Sequence, residues 1–236
     1  MEEDILKGKT LLVVDDEVDL RDIVASELEF MGAKVFQAEN ILKAQKILSE
    51  NKIDLIISDI RMPGGTGIDL LEVVKEKVNE APPVILITGF ADITLEDAFD
   101  KGAEALLNKP FKLDDLIKMV VRYTAPIDER FLGPVESPAL LNGAKDDIVY
   151  FGRGGMAIDI TNQGRKYDIG AEVHFTLHNG GVDFEGKGVC RWIKLLNSHQ
   201  VFMGLEFISL KEESLNQFKK LIDGKSVIPY IPTVRS

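Results

Sequence analysis

The chain of 236 residues is poor in cysteine and has no long apolar run. Its single cysteine, Cys190, excludes an intrachain disulfide, and we interpret it as a small strand residue rather than a reactive thiol. No apolar stretch approaches the roughly 20 residues of a membrane-spanning helix, so we expect no membrane insertion. The amino terminus lacks the basic start and apolar stretch of a secretory signal. These deficits predict a cytoplasmic protein.

The chain also lacks a concentrated basic face. Residues 1–129 hold 15 Lys and Arg against 27 Asp and Glu, whereas residues 130–236 hold 13 against 12. An acidic first half repels a phosphate backbone, and a nearly neutral second half does not attract one. We therefore expect no DNA binding.

What the first half does contain is an alternation of apolar runs with stretches of helical periodicity. Five such units, together with the right-handed connection of parallel strands, predict an α/β domain with a doubly wound, five-stranded parallel sheet covered on both faces. The predicted strands are Thr10–Val14, Lys34–Ala38, 55–58, 84–87 and 105–107, and the predicted helices are 19–31 (ending at Gly32), 41–48, 70–78 and 113–121.

The second half has a different pattern. Prolines and glycines leave little room for regular structure in residues 125–144, which we interpret as a linker between a domain at 1–124 and another at 145–236. Beyond the linker the apolar period is two, with an Asn179-Gly180-Gly181 turn typical of a hairpin. A capping-box match from Ser209 to Glu212 then opens an amphipathic helix. The pattern predicts an antiparallel β-barrel with a terminal helix.

Five polar residues follow apolar runs in the first half: Asp15, Asp16, Asp59, Thr88 and Lys109. Any one of them can be a solvated loop residue, but a parallel sheet brings all five to its carboxyl edge. Clustered carboxylates repel unless a cation relieves them, and hard oxygen ligands suit Mg²⁺. A carboxylate nucleophile there would form an acyl phosphate, with the lysine and the threonine hydroxyl bound to phosphoryl oxygens.

The segments LLVVDDEVDLRDIV, LIISDIRMPGGTGIDLL, VILITG and NKPF resemble the response-regulator receiver (CheY-like) family over about residues 8–124. This resemblance implies that Asp59 accepts a phosphoryl group from a histidine kinase, a phosphotransfer protein or a small phosphodonor. It implies a cis Lys109–Pro110 bond and the possibility of a homodimer through the receiver. It further implies that Asp16, Asp59 and the backbone carbonyl of Arg61 ligate Mg²⁺ and that Asp15 acts through a metal-bound water. Thr88 would supply the switch hydroxyl, and Lys109 would pair with the phosphoryl group.

Two features weigh on this interpretation. Leu106 stands where many family members have a switch aromatic, so this chain departs from the family at the position of the aromatic read-out. An aspartyl phosphatase of the haloacid dehalogenase type is the rival use of these carboxylates, but it needs a second Asp where this chain has Arg61. We therefore expect a phosphoacceptor rather than an enzyme.

The second half resembles a PilZ domain over about residues 145–223, through FGRGGMAIDI, the strands that follow and the terminal helix. That family implies a six-stranded barrel and often a cyclic di-guanylate (cyclic di-GMP) receptor. The arginine pair of its ligand motif is absent here, and only Gly155 of the second motif remains. Arg153, Arg165 and Lys166 are the remaining candidate ligand-binding residues. His174 and His178 share a strand face without metal-site partners in sequence.

Three functions stay open. The leading hypothesis is a two-component response regulator that is phosphorylated on Asp59 and signals through a degenerate PilZ-like output to an unknown protein partner. A dual-input regulator would in addition bind cyclic di-GMP. A scaffold would act independently of phosphorylation.

Overall fold

The computed structural model describes the chain except residues 1–3, 77–80, 90–92, 132, 136–138, 144–147, 164–166, 180–181, 224–226 and 235–236; at positions 139, 140, 143, 179 and 182 it describes the backbone alone. The chain forms two compact units. The first consists of Met1–Thr94 and Lys101–Ala125, and the second consists of Leu95–Asp100 and Pro126–Ser236.

The first unit contains the predicted five-stranded parallel sheet. The strands are β1 Thr10–Val14, β2 Lys34–Ala38, β3 Leu55–Asp59, β6 Val84–Thr88 and β7 Ala105–Asn108, and a small hairpin joins β4 Arg61–Met62 to β5 Gly65–Thr66. The strand order in the sheet is β2-β1-β3-β6-β7, and each neighbouring pair is parallel. Every residue of β3 and β6 is buried, as the continuous apolar runs predict for strands covered on both faces.

Five helices lie in this part of the sequence: α1 Val18–Phe30, α2 Ile41–Glu50, α3 Gly67–Lys75, α4 Leu95–Asp100 and α5 Leu113–Thr124. Gly32 follows α1 with φ +91°, which confirms it as the terminating glycine. α3 begins three residues before the predicted start because Thr66 and Asp69 form a capping box there. The short α4 was not predicted, and by its contacts it belongs to the second unit.

The second unit is built on a curled six-stranded sheet. Its strands are β8 Ala139–Gly143, β9 Val149–Phe151, β10 Gly155–Asp159, β11 Glu172–Asn179, β12 Val182–Leu195 and β13 Val201–Leu210. Their order in the sheet is β8-β11-β12-β13-β10-β9. The prediction of an antiparallel barrel is wrong in one respect: β8 pairs parallel with β11, so the sheet is mixed. Among the described residues β8 and β9 do not pair, and the sheet stays open. β11 and β12 form the predicted hairpin, whose Gly180-Gly181 turn lies outside the described residues.

The stretch interpreted as a linker contains regular structure. A short helix, α6 Ile127–Arg130, and strand β8 both fall within residues 125–144. β8 is a strand because β11, more than thirty residues away in sequence, supplies its hydrogen-bond partners. Local proline and glycine signals therefore gave the wrong expectation for this segment.

The terminal helix α7 spans Glu212–Ile222 and starts later than its predicted capping box. Ser209 is instead a buried residue of β13, and its hydroxyl donates to the Pro134 carbonyl. Leu215 and Phe218 of α7 are buried in a core with Phe131, Phe175 and Phe207. Cys190 is also buried there. In the described part of the chain no helix is both long and apolar enough to cross a membrane.

Candidate functional site

The candidate site lies at the carboxyl edge of the parallel sheet. Asp15 directly follows β1, Asp59 ends β3, Thr88 ends β6, and Lys109 directly follows β7. Strand register aligns these ends, since Val14 is level with Ser58, Asp59 with Ile87, and Thr88 with Asn108. The sheet thus assembles residues that are up to 94 positions apart in sequence.

Lys109 is the centre of this assembly. Its Nζ lies 2.9 Å from Asp59 Oδ1 and 3.1 Å from Asp15 Oδ2. It also donates to Glu17 Oε1 at 2.8 Å. The lysine side chain is 20% exposed, whereas those of Asp15 and Asp59 are 4% and 7% exposed. One ammonium group therefore bridges two buried carboxylates and retains access to solvent.

Electrostatics couple these groups. Burial is the main cause that raises the pKa of Asp15, and the nearby Asp59 charge raises it further, while hydrogen bonds from the Glu17 amide and Lys109 act in the opposite direction. Burial alone would lower the pKa of Lys109, but hydrogen bonds to Glu17, Asp59 and Asp15 outweigh it and raise the pKa well above the ordinary value. Lys109 therefore stays charged at every physiological pH.

The backbone after β3 holds Asp59 in place. The Arg61 amide donates to Asp59 Oδ2 at 2.8 Å, while the Arg61 side chain is exposed. Gly67 begins α3 in close contact with this strand end, because a Cβ at Gly67 would overlap the Asp59 carbonyl oxygen. Gly64 takes φ +86° in the intervening turn, a conformation that glycine adopts without strain.

Thr88 is 2% exposed and lies at the end of β6. Its carbonyl accepts a hydrogen bond from the Lys109 amide at 2.7 Å. This bond connects the end of β6 to the residue that follows β7. The Lys109–Pro110 peptide bond is cis, as the family resemblance implied. Leu106 lies in β7 opposite Leu86.

The predicted three-carboxylate metal cluster is not assembled in this structure. Asp16 is exposed, and the described residues include no group of three or more His, Cys, Asp or Glu that could hold a metal ion. The oxygens of Asp15 and Asp59 have other partners in this structure. Lys109 bridges the two carboxylates, and Asp15 Oδ1 accepts a hydrogen bond from the Glu17 amide at 2.8 Å. Ligation of Mg²⁺ by Asp16, Asp59 and the Arg61 carbonyl, with Asp15 acting through water, stays a prediction.

Sequence reasoning missed Glu17 as a partner of Lys109. Its position two residues after Asp15 was the available signal, because a loop at the sheet edge can bring both carboxylates to one cation. The buried ion pair of Lys75 and Glu104 was also missed. Nothing in the sequence links these two residues, which are 29 positions apart.

In the second unit the candidate ligand residues have partners within the chain. Arg153 Nε donates to the Ile228 carbonyl at 3.1 Å, so a role in binding a dinucleotide is not supported by its geometry. Arg165 and Lys166 lie outside the described residues. His174 pairs with Glu185 at 2.9 Å and His178 with Asp183 at 2.6 Å, both across the β11–β12 hairpin.

Comparison with known proteins gives a family for the first part of the chain. Residues 11–121 match the model of the response regulator receiver domain. The chain is 35% identical over 140 residues to the phosphate regulon transcriptional regulatory protein PhoB of Pseudomonas aeruginosa, with 57% of this chain and 60% of that protein covered. It is 31% identical over 140 residues to the DNA-binding transcriptional regulator NtrC of Escherichia coli, with 58% and 29% covered.

Among solved structures, the chain is similar to the response regulator protein TrrA from Thermotoga maritima in complex with Mg(2+)-BeF. The sequence identity is 31% and the TM-score is 0.43, with 48% of this chain and 96% of that chain covered. The present chain spans less than two thirds of the length of the PhoB and NtrC relatives.

Proposed function

Residues 11–121 are a response regulator receiver domain, and we propose from this that the chain is a two-component response regulator that accepts a phosphoryl group on Asp59. The observation that carries the proposal is the position of Lys109 Nζ, 2.9 Å from Asp59 Oδ1 and 3.1 Å from Asp15 Oδ2. A lysine that joins the acceptor to a second carboxylate is placed to bind an incoming phosphoryl oxygen.

The proposed reaction is a phosphoryl transfer to a carboxylate. An Asp59 oxygen attacks the phosphorus of a phosphohistidine, the P–N bond breaks, and its electron pair stays with the imidazole of the donor. With acetyl phosphate the leaving group is acetate. The product on Asp59 is an acyl phosphate.

Residues around the acceptor have separate roles in this proposal. Lys109 exchanges its contact with Asp59 for one with a phosphoryl oxygen and remains charged throughout, because its pKa is raised. The hydroxyl of Thr88, at the end of the neighbouring strand, donates to a second phosphoryl oxygen. Movement of Thr88 toward the phosphoryl group is the first step of the switch.

The donor set fits a Mg²⁺ ion as the cofactor. Asp15 and Asp59 are hard oxygen ligands on one edge, and their mutual repulsion contributes to the raised pKa of Asp15, so a further cation would be stabilised there. Asp59, Asp16 and the Arg61 carbonyl would hold the ion, and Asp15 would act through a bound water. When bound, Mg²⁺ supplies charge neutralisation between the carboxylate and the phosphoryl oxygens.

The proposed partners follow from this chemistry. A histidine kinase or a phosphotransfer protein donates the phosphoryl group, and the second unit binds a protein target. The acidic balance of residues 1–129 disfavours DNA as that target. A homodimer through the receiver is a further proposed state.

The chain is proposed to accept a phosphoryl group on Asp59 without hydrolysing phosphomonoesters catalytically. Steady hydrolysis of phosphomonoesters by the chain that is lost in Asp59→Asn would contradict this proposal.

Chemical lability of the modification tests the proposed function. The chain is incubated with radiolabelled acetyl phosphate and Mg²⁺, and the bound label is then treated with hydroxylamine, which cleaves acyl phosphates. We expect label that hydroxylamine releases and that Asp59→Asn does not acquire. A chain that acquires no label would favour the scaffold that acts independently of phosphorylation. The observation that supports this scaffold is Leu106, which stands where many receiver domains have a switch aromatic. Micromolar binding of cyclic di-GMP in titration calorimetry would favour the dual-input regulator.

A further inference from the structure

A glycine-rich turn in the second unit, residues 152–155, is bound by a segment near the end of the chain. The Arg153 amide donates to the Pro229 carbonyl at 2.9 Å, and the Gly154 amide donates to the Tyr230 carbonyl at 3.0 Å. Arg153 Nε donates to the Ile228 carbonyl at 3.1 Å. Three donors of the turn thus meet three consecutive carbonyls, which is how a protein backbone binds an extended peptide.

The glycines of the turn match the shape of this segment. A Cβ at Gly154 would overlap the ring of Tyr230, and a Cβ at Gly152 would overlap the Tyr230 carbonyl. At Gly155 a Cβ would overlap the Leu205 carbonyl oxygen of the neighbouring strand and would also lie 2.9 Å from Ile231 Cγ1. The absence of side chains at Gly152 and Gly154 therefore creates the space that the segment fills.

Tyr230 is the anchor of the segment. Tyr230 and Ile231 are both 0% exposed. The Tyr230 hydroxyl donates to Glu206 Oε1 at 3.2 Å, and Glu206 is itself 1% exposed and bound by Arg191 Nε at 2.6 Å. A buried carboxylate held by an arginine at the base of the cavity selects a phenol over an apolar ring of the same size.

The opposite edge of the segment contacts α4, which belongs to the same compact unit. The Tyr230 amide donates to the Phe99 carbonyl at 2.8 Å, and the two rings are 5.6 Å apart. The Thr233 amide donates to Asp100 Oδ1 at 3.2 Å. The segment is therefore bonded on two sides without being part of a strand.

We propose that the glycine-rich turn and Glu206 form a binding site for an extended apolar peptide anchored by tyrosine, and that residues 228–231 occupy it in cis. Backbone hydrogen bonds supply affinity, and the Tyr230 and Ile231 side chains supply specificity. Pro229 and Pro232 flank these two residues and restrict the backbone, so little conformational entropy is lost on binding. This assignment goes beyond the proposed phosphoacceptor function and does not depend on it.

The test uses the full chain with its own segment weakened by Tyr230→Ala and Ile231→Ala together. Circular dichroism verifies the fold, and fluorescence anisotropy measures binding of a labelled peptide of residues 227–236. We expect micromolar binding to the double variant and none to the unmodified chain, in which the tethered segment competes at millimolar effective concentration. The Ile169→Ala chain, altered at a side chain of the same unit that is 69% exposed and lies outside the segment, is the matched control and should not bind the peptide. A peptide with alanine in place of the tyrosine should bind on the order of tenfold more weakly or not at all.

A second measurement covers the case in which the double variant does not fold. Hydrogen exchange is followed at the Arg153 and Gly154 amides in Tyr230→Phe, which keeps the ring and loses the hydroxyl. We expect exchange to accelerate on the order of tenfold, and an excess of the unlabelled peptide to slow it again. A folded double variant without peptide binding, or exchange in Tyr230→Phe that neither the substitution nor the peptide changes, would overturn the proposal.

Discussion

The Nζ atom of Lys109 lies 2.9 Å from Oδ1 of Asp59, and the same ammonium group contacts Asp15 at 3.1 Å. The lysine is 20% exposed while both carboxylates are buried. The ammonium group therefore contacts the proposed acceptor directly, where it can also bind an oxygen of an incoming phosphoryl group. Substitutions that alter this arrangement should change phosphorylation and stability together.

Replacement of Lys109 by methionine tests this relationship. It leaves two buried carboxylates without their shared cation, so we expect the unfolding free energy to fall by about 1–2 kcal/mol, since the lysine is partly exposed. The rate of phosphorylation by acetyl phosphate should fall as well. Urea denaturation and phosphorylation kinetics measure the two effects. Lys118→Met makes the same chemical change at a side chain that is 78% exposed and should alter neither quantity appreciably.

Asp15→Asn should stabilise the folded chain at neutral pH and slow phosphorylation. The pKa of Asp15 is raised chiefly by burial, so its ionised form is less favourable in the folded state than in the unfolded state. The stabilisation should therefore be present at pH 7 and disappear as the pH falls toward the ordinary value of 3.8. Thermal unfolding across this pH range is the measurement. A variant that is less stable than the parent at pH 7 would contradict the assignment, and Asp22→Asn at an exposed position outside the proposed site is the control.

The buried pair of Lys75 and Glu104 should be a large structural contributor within the first unit. Lys75 Nζ lies 3.2 Å from both Glu104 oxygens, and Glu104 Oε2 also accepts the Val84 amide at 2.6 Å. Glu104→Leu removes the carboxylate that pairs with the buried Lys75 ammonium group and should cost about 3–5 kcal/mol in urea denaturation.

The exposed pair of Glu72 and Lys101 provides a matched comparison for that prediction. The Glu72 side chain is 53% exposed, so Glu72→Leu should change the unfolding free energy by about 0–1 kcal/mol. Equal losses at Glu72 and Glu104 would show that burial does not govern the strength of these pairs. Adding Lys75→Met to Glu104→Leu should recover part of the loss.

Cys190 should be unreactive in the folded chain. It is 0% exposed, and burial raises the pKa of its thiol to about 11. Because the thiolate is the reactive form, alkylation by iodoacetamide at pH 8 should be slow in buffer and fast in denaturing urea. Cys190 lies in β12, so rapid alkylation of the native chain would show that this strand opens readily.

Much of the first unit could be predicted from the sequence. Continuous apolar runs identify β1, β3 and β6, and parallel topology then brings Asp15, Asp59, Thr88 and Lys109 to one edge. What the sequence does not specify is how the side chains meet there. The exposure of Asp16 and the bridging position of Lys109 depend on loop geometry, for which no local pattern exists.

The second unit was predicted less well for a related reason. β8 forms by pairing with β11, and Ser209 extends β13 instead of capping a helix. Both outcomes come from long-range strand pairing that overrides local signals. The contact of the glycine-rich turn with Tyr230 joins residues far apart in the chain, and the sequence suggests only that the glycines leave space.

Asp59 is the proposed phosphoacceptor, and its modification can be located in the sequence. The most direct measurement is to phosphorylate the chain with acetyl phosphate and Mg²⁺, reduce the acyl phosphate with borohydride, and locate the reduced residue by peptide mass spectrometry. We expect the reduced residue at position 59 alone, and no such product in Asp59→Asn. A chain that stays unmodified, or modification at another carboxylate, would contradict the account.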